Sequence, residues 1–95
     1  MMDTATTILN DLGISEQGAI RGFALLSASQ KLAELNHECA AFRNKYNLTF
    51  REFEKSIKSR SEEIFTEEED YLAWRFAEEG VAYWREKVER LKLEK

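Results

Sequence analysis

LLSASQKLAELNHECAAFRNKY, residues 25–46, is the stretch on which the fold turns. Leu25, Ala28, Leu32, Leu35, Cys39, Phe42 and Tyr46 recur along it in steps of 3, 4, 3, 4, 3 and 4. Such steps gather the apolar residues into one stripe of a helix, a heptad seam that faces a single partner helix. The chain of 95 residues has no proline, so nothing interrupts a long helix. Upstream, Ser15 is placed to cap the helix and Glu16 sits in its first turn, where a carboxylate suits the helix dipole. Downstream, Asn47 can end it. The sequence therefore predicts a helix over residues 16–46, a rod of roughly 46 Å at 1.5 Å per residue.

A rod with one greasy stripe needs a counterpart, and the sequence carries one. Trp74, Ala77, Val81, Trp84, Val88 and Leu91 step 3, 4, 3, 4 and 3. This second seam predicts a helix over residues 67–92, roughly 39 Å long. Tyr71, Ala73, Phe76 and Tyr83 are expected to widen it on one side. Thr66-Glu67-Glu68-Glu69 matches the capping-box pattern and is expected to open the helix. Between the rods, Thr49-Phe50-Arg51-Glu52 is another capping box. It starts a short helix over residues 50–58 with Phe50, Phe53 and Ile57 as its apolar stripe. Residues 59–65 read as a connection whose Ile64 and Phe65 tuck back on the core. At the other end, Asp3 or Thr4 caps a helix over residues 4–12, and Gly13 supplies its left-handed exit.

The expected fold is all-α and a single domain over residues 1–95. Two long helices run antiparallel, with a short N-terminal helix and a short connecting helix. The seam residues are Leu25, Leu32, Leu35 and Phe42 on one rod, and Trp74, Val81, Trp84 and Val88 on the other. One hairpin hides too little of this surface. Ile20, Phe23, Ala24, Leu25 and Leu26 are apolar nearly all the way round, which calls for cover on more than one side. Tyr46, Tyr71, Trp74, Phe76, Tyr83 and Trp84 exceed what one seam can cover. Small chains with limited cores gain stability by association. Two hairpins pairing as a dimeric four-helix bundle would bury the excess. The rival is a monomer that keeps its extra face for a different protein.

Composition excludes several classes of function. Lys and Arg number 14 against 18 Asp and Glu, so the net charge is −4. Direct binding to nucleic acid or an anionic membrane is not expected, because phosphate contacts need a basic surface. Arg21 and Lys31 alone supply cations to the first half of the long helix, too few for a recognition helix after the Leu12–Ser15 turn. No apolar run approaches the roughly 20 residues of a membrane span. The start, MMDTATTILN, has an acid where a signal peptide needs base. A cytoplasmic location is expected. One cysteine rules out an internal disulfide and a cysteine-built zinc site. No phosphate loop and no Ser-His-Asp set is present, so no catalysis and no cofactor are expected.

Three groups of residues remain as candidate chemistry. Glu34 and His37 have the Glu-x-x-His spacing of di-iron bundles. They lie about 130° and 170° from the seam, which favours a solvated acid and a surface histidine. Only a dimer that joined two such pairs would make a metal site of them. Cys39 sits within the seam and reads as a small buried hydrophobe. The strongest feature is acidic. Residues 61–79 hold eight acids against Arg75 alone, a net of −7, while the rest of the chain sums to +3. Acids at a helix start are ordinary, each worth about 0.3–1 kcal/mol. The other reading is a docking edge, in which Glu67, Glu68, Glu69 and Asp70 steer a basic partner while Tyr71 and Trp74 anchor it.

Four segments together resemble a known family. They are the Leu-Gly-Ile-Ser turn, the long helix ending Phe42-Arg43-Asn44-Lys45-Tyr46-Asn47, the Thr49–Glu54 segment, and Asp70-Tyr71-Leu72-Ala73-Trp74-Arg75-Phe76-Ala77 with the later Tyr83-Trp84. Over about residues 7–92 the chain is similar to small all-helical antitoxin-like proteins of prokaryotic type II toxin–antitoxin pairs. The resemblance implies a non-enzymatic protein that neutralises a cognate toxin, often an RNase. A DNA-binding module and a long disordered tail are missing from the pattern, which speaks against operator repression by this chain alone. Without a toxin, the same residues make a structural or adaptor coiled-coil homodimer.

Overall fold

The computed structural model describes residues 3–94. Helix α1 spans Thr4–Leu12, α2 Glu16–Tyr46, α3 Phe50–Ser59 and α4 Phe65–Leu93, and no strand occurs among the described residues. Local chemistry sets most of these limits. Asp3 accepts the Thr6 N–H at 2.7 Å and starts α1. Gly13, at φ 71°, turns into the left-handed region and ends it. The next amide, Ile14 N–H, donates back to the Leu9 carbonyl at 2.8 Å. Ser15 Oγ then accepts the Gly18 N–H at 2.9 Å and opens α2. Asn47, left-handed at φ 55°, closes α2 by donating its N–H to Arg43 O at 2.7 Å. Thr49 and Glu52 exchange both bonds of the expected capping box, at 3.2 and 2.8 Å.

The start of α4 differs from the sequence expectation. Ile64 is the N-cap, no side chain caps it, and Thr66 lies inside the first turn. The ladder begins where Glu68 N–H donates to the Ile64 carbonyl at 3.0 Å. A Thr66 cap would need extended backbone at Thr66. Instead Arg60 reaches across the connection to Glu67 at 3.2 Å and holds that residue within the opening turn. Ile64 and Phe65 do not tuck back: they are 42% and 75% exposed.

The long helices run antiparallel. Arg21 Nη2 donates to the Leu91 carbonyl at 2.7 Å near one end, and Lys45 Nζ meets Asp70 Oδ2 at 2.6 Å near the other. The two seams face each other between these ties. Leu35, Cys39, Phe53, Trp74, Ala77 and Val81 form the buried cluster. Leu32, Phe42, Tyr46, Phe50, Tyr71 and Trp84 pack on it, half-buried. Further along, Ala28 and Val88 are buried and Leu25 is half-buried. Gly80 sits on α4 opposite Leu35. A Cβ there would come within 2.6 Å of Leu35 Cδ1, so the glycine permits the close approach of the rods.

The result is a rod measuring 67 × 25 × 19 Å. Its radius of gyration is 20.0 Å, against about 12 Å for a compact chain of this length. The core is concentrated where α3 closes the hairpin. Toward the opposite end, Ile20, Phe23 and Leu26 of α2 remain exposed, as do Ile8 and Leu12 of α1. Phe76 and Tyr83 do not widen the seam. They lie about 160–180° round the helix from Trp74 and are 70% and 53% exposed.

Candidate functional site

The acidic and aromatic residues singled out by sequence lie where the end of α2, the whole of α3 and the first turns of α4 meet. Trp74 is fully buried at the centre. Phe42 stacks on it at 5.6 Å, and Phe50 and Phe53 each approach to 5.4 Å between ring centroids. Tyr46 lies 4.2 Å from Phe53 by the same measure. Aromatic contacts of this kind add about 0.5–1.5 kcal/mol beyond area burial. The Trp74 indole N–H, which burial would otherwise leave unsatisfied, donates to Glu78 Oε1 at 3.2 Å.

A polar layer surrounds these rings, and most of its acids already have partners. Asp70 accepts from Lys45 and from the Tyr46 hydroxyl. Those two hydrogen bonds hold the Asp70 carboxyl below its ordinary pKa. Burial, followed by the Asp70 bond and charge, pushes the Tyr46 phenol up to about 12. Tyr71 donates to Glu54 Oε2 at 2.7 Å. Glu67 is taken by Arg60. Arg60 itself is strained electrostatically, because its Nε and Nη2 are buried and find no acceptor.

The candidate patch therefore divides in two. Asp70, Tyr71 and Trp74 serve the interior, and Trp74 presents no surface to a partner. Glu67 is half-buried in its ion pair. Glu69 is exposed and Glu68 half-exposed, and with Glu62 and Glu63 they leave an acidic edge that makes no salt bridge with the described residues. Phe65, on that same edge, is the exposed aromatic that stands where Trp74 was expected.

Sequence reasoning missed the companion surface. Phe65, Leu72, Phe76 and Tyr83 are 75%, 60%, 70% and 53% exposed and share the side of α4 opposite Trp74. Their steps of 7, 4 and 7 were legible. The longer Trp74–Leu91 seam overshadowed them.

The remaining candidates are plain. Cys39 is buried, and burial, followed by the nearby Glu78, raises its pKa to about 11. It is a thiol at neutral pH. Glu34 and His37 are exposed, with Glu34 only 4.0 Å from Lys31. Among the described residues no group of three or more His, Cys, Asp or Glu is placed to hold a metal ion. No described helix is long and apolar enough to cross a membrane. Comparison with known proteins brings no relative: no family model, no curated protein and no solved structure matches the chain.

Proposed function

We propose that this chain is a non-catalytic binding protein of the cytoplasm that self-associates and, like the antitoxins it resembles, neutralises a cognate toxin. The observation that carries the reading is surplus surface. A compact chain of 11.1 kDa exposes about 5,650 Å², whereas this one exposes 7528 Å². Among the described residues twelve large apolar side chains contribute to that surface, and contiguous apolar patches on a protein surface mark interaction sites. The acidic edge of Glu62, Glu63, Glu68 and Glu69 favours a basic partner, such as the RNA-binding face of a nuclease. Its charges would speed encounter more than they deepen affinity.

Co-expression with the product of the adjacent gene tests the toxin reading. Co-purification and rescued growth are expected; no complex and no rescue would overturn it. Glu62, Glu63 and Glu68 make no salt bridge with the described residues, so reversing them to Lys should cost the fold little beyond Glu68's place in the first turn of α4, about 1 kcal/mol. Binding of the partner should weaken sharply at low salt and much less at high salt. Equal affinity at low salt would remove the acidic edge from the interface. The reading without a toxin is an adaptor homodimer, favoured by the same unpaired apolar stripe.

A further inference from the structure

We propose that the outer face of α4 is a homodimer seam, on which a second copy of this chain packs its own α4 antiparallel about a two-fold axis level with residue 74. The inference rests on the self-association proposed above and gives it a surface and a direction.

The stripe is Phe65, Leu72, Phe76 and Tyr83, each more than half exposed. Its spacing of 7, 4 and 7 reads the same in both directions. A two-fold interface must be self-complementary, each contact occurring twice. In the antiparallel register centred on residue 74, Phe65 faces Tyr83 of the second copy and Leu72 faces its Phe76. All four side chains are then matched with none left over. Slipping the register by one heptad leaves only one apolar match: one way Leu72 still faces Tyr83 but Phe76 meets Glu79 and Phe65 meets Arg90, and the other way Phe65 faces Phe76 but Leu72 meets Glu69.

Charge selects the direction. Residues 61–79 carry −7, whereas 85–92 carry Arg85, Lys87, Arg90 and Lys92 against Glu86 and Glu89, a net of +2. A parallel pair would lay the acidic segments side by side. The antiparallel pair confines that overlap to residues 69–79 and brings Glu62 and Glu63 beside Arg85 and Lys87 of the second copy. The register does bring Glu69 opposite Glu79 at the seam's edge, where Arg75, 3.2 Å from Glu79, offsets the repulsion.

Area supports a second copy as the occupant. The chain exposes about 1,900 Å² more than a compact chain of its mass, and a standard interface removes about 800 Å² from each partner. The stripe can be removed from water without touching the core, since its residues lie opposite Trp74.

Single-cysteine variants of the full chain read the register directly, because Cys39 is buried and does not compete. L72C and F76C, mixed and oxidised, should form disulfide dimers several-fold more readily than either alone. Equal or better cross-linking of each variant by itself would mean parallel pairing and overturn the proposal. Sedimentation supplies the second reading. F76D alters an exposed residue, so helicity should hold while the dimer dissociation constant rises at least about a hundredfold. F23D, on the far end of α2, should leave it unchanged. Dissociation by F23D and not by F76D would overturn this seam while leaving self-association standing. A wild-type chain that stays monomeric at every concentration would overturn both.

Discussion

Single residues at the α3 end decide how the protein responds to pH. Tyr46 and Cys39 both have their neutral forms favoured by burial, at about 12 and about 11. In the unfolded chain they ionise near 10 and 9. The unfolded state then sheds protons first, so the associated stability is complete below pH 9 and declines as pH rises through 11 and 12. Asp70 works in the opposite sense. Its lowered pKa contributes stability above the ordinary carboxylate range, lost as pH falls through the folded value. Denaturant melts across alkaline pH should therefore show a loss that Cys39→Ala reduces. Phenol absorbance should show Tyr46 ionising near 12 rather than near the ordinary 10. A Tyr46 that titrates near 10 would contradict the packing described around Asp70.

The same scale explains what sequence could not tell about the candidate patch. Glu67, Asp70, Tyr71 and Trp74 step 3, 1 and 3 along the chain, so a helix gathers them on the seam side and turns Glu68 and Glu69 away from it. Trp74 belonged to the heptad seam, which was legible, and its burial follows from that. The partners of Asp70 and Glu67 were not legible. Lys45 and Arg60 approach them only once the hairpin closes.

At the scale of the element, two segments had the same capping signature and only one formed a cap. Thr49 and Glu52 exchange their bonds, while Thr66 is drawn into the helix. The two are alike in sequence, so tertiary context separates them: the Arg60–Glu67 pair holds the turn in which the Ile64 carbonyl accepts the Glu68 N–H, and together they set the start of α4. Thr49→Ala should cost about 1 kcal/mol, and Thr66→Ala less than about 0.5 kcal/mol. Thermal or denaturant unfolding measures both, and an equal cost at the two sites would contradict the described start of α4. The helices themselves were well signalled by spacing and by the caps at Asp3, Ser15 and Thr49. Gly80 was not. Nothing in its local sequence announces that Leu35 lies where a side chain would go.

For the whole molecule, the sequence indicated an antiparallel hairpin with apolar surface to spare, and the 67 Å rod has both. Where the spare surface lies was not foreseen, because the strong seam on α4 drew attention from the weaker stripe behind it. Paired through that stripe near the α3 ends, two rods would overlap only in part. With 1.5 Å per residue from position 74 outward and rods of 67 Å, the pair should extend to roughly 90–100 Å. Hairpins aligned along their whole length would remain near the length of one.

Small-angle scattering combined with molar mass, recorded on the unmodified chain over a range of concentrations, tests the central claim most directly. The account predicts a mass twice 11.1 kDa and a longest dimension of roughly 90–100 Å, on the same rise per residue. A mass of 11.1 kDa that persists at high concentration, with the radius of gyration at 20.0 Å, would contradict it.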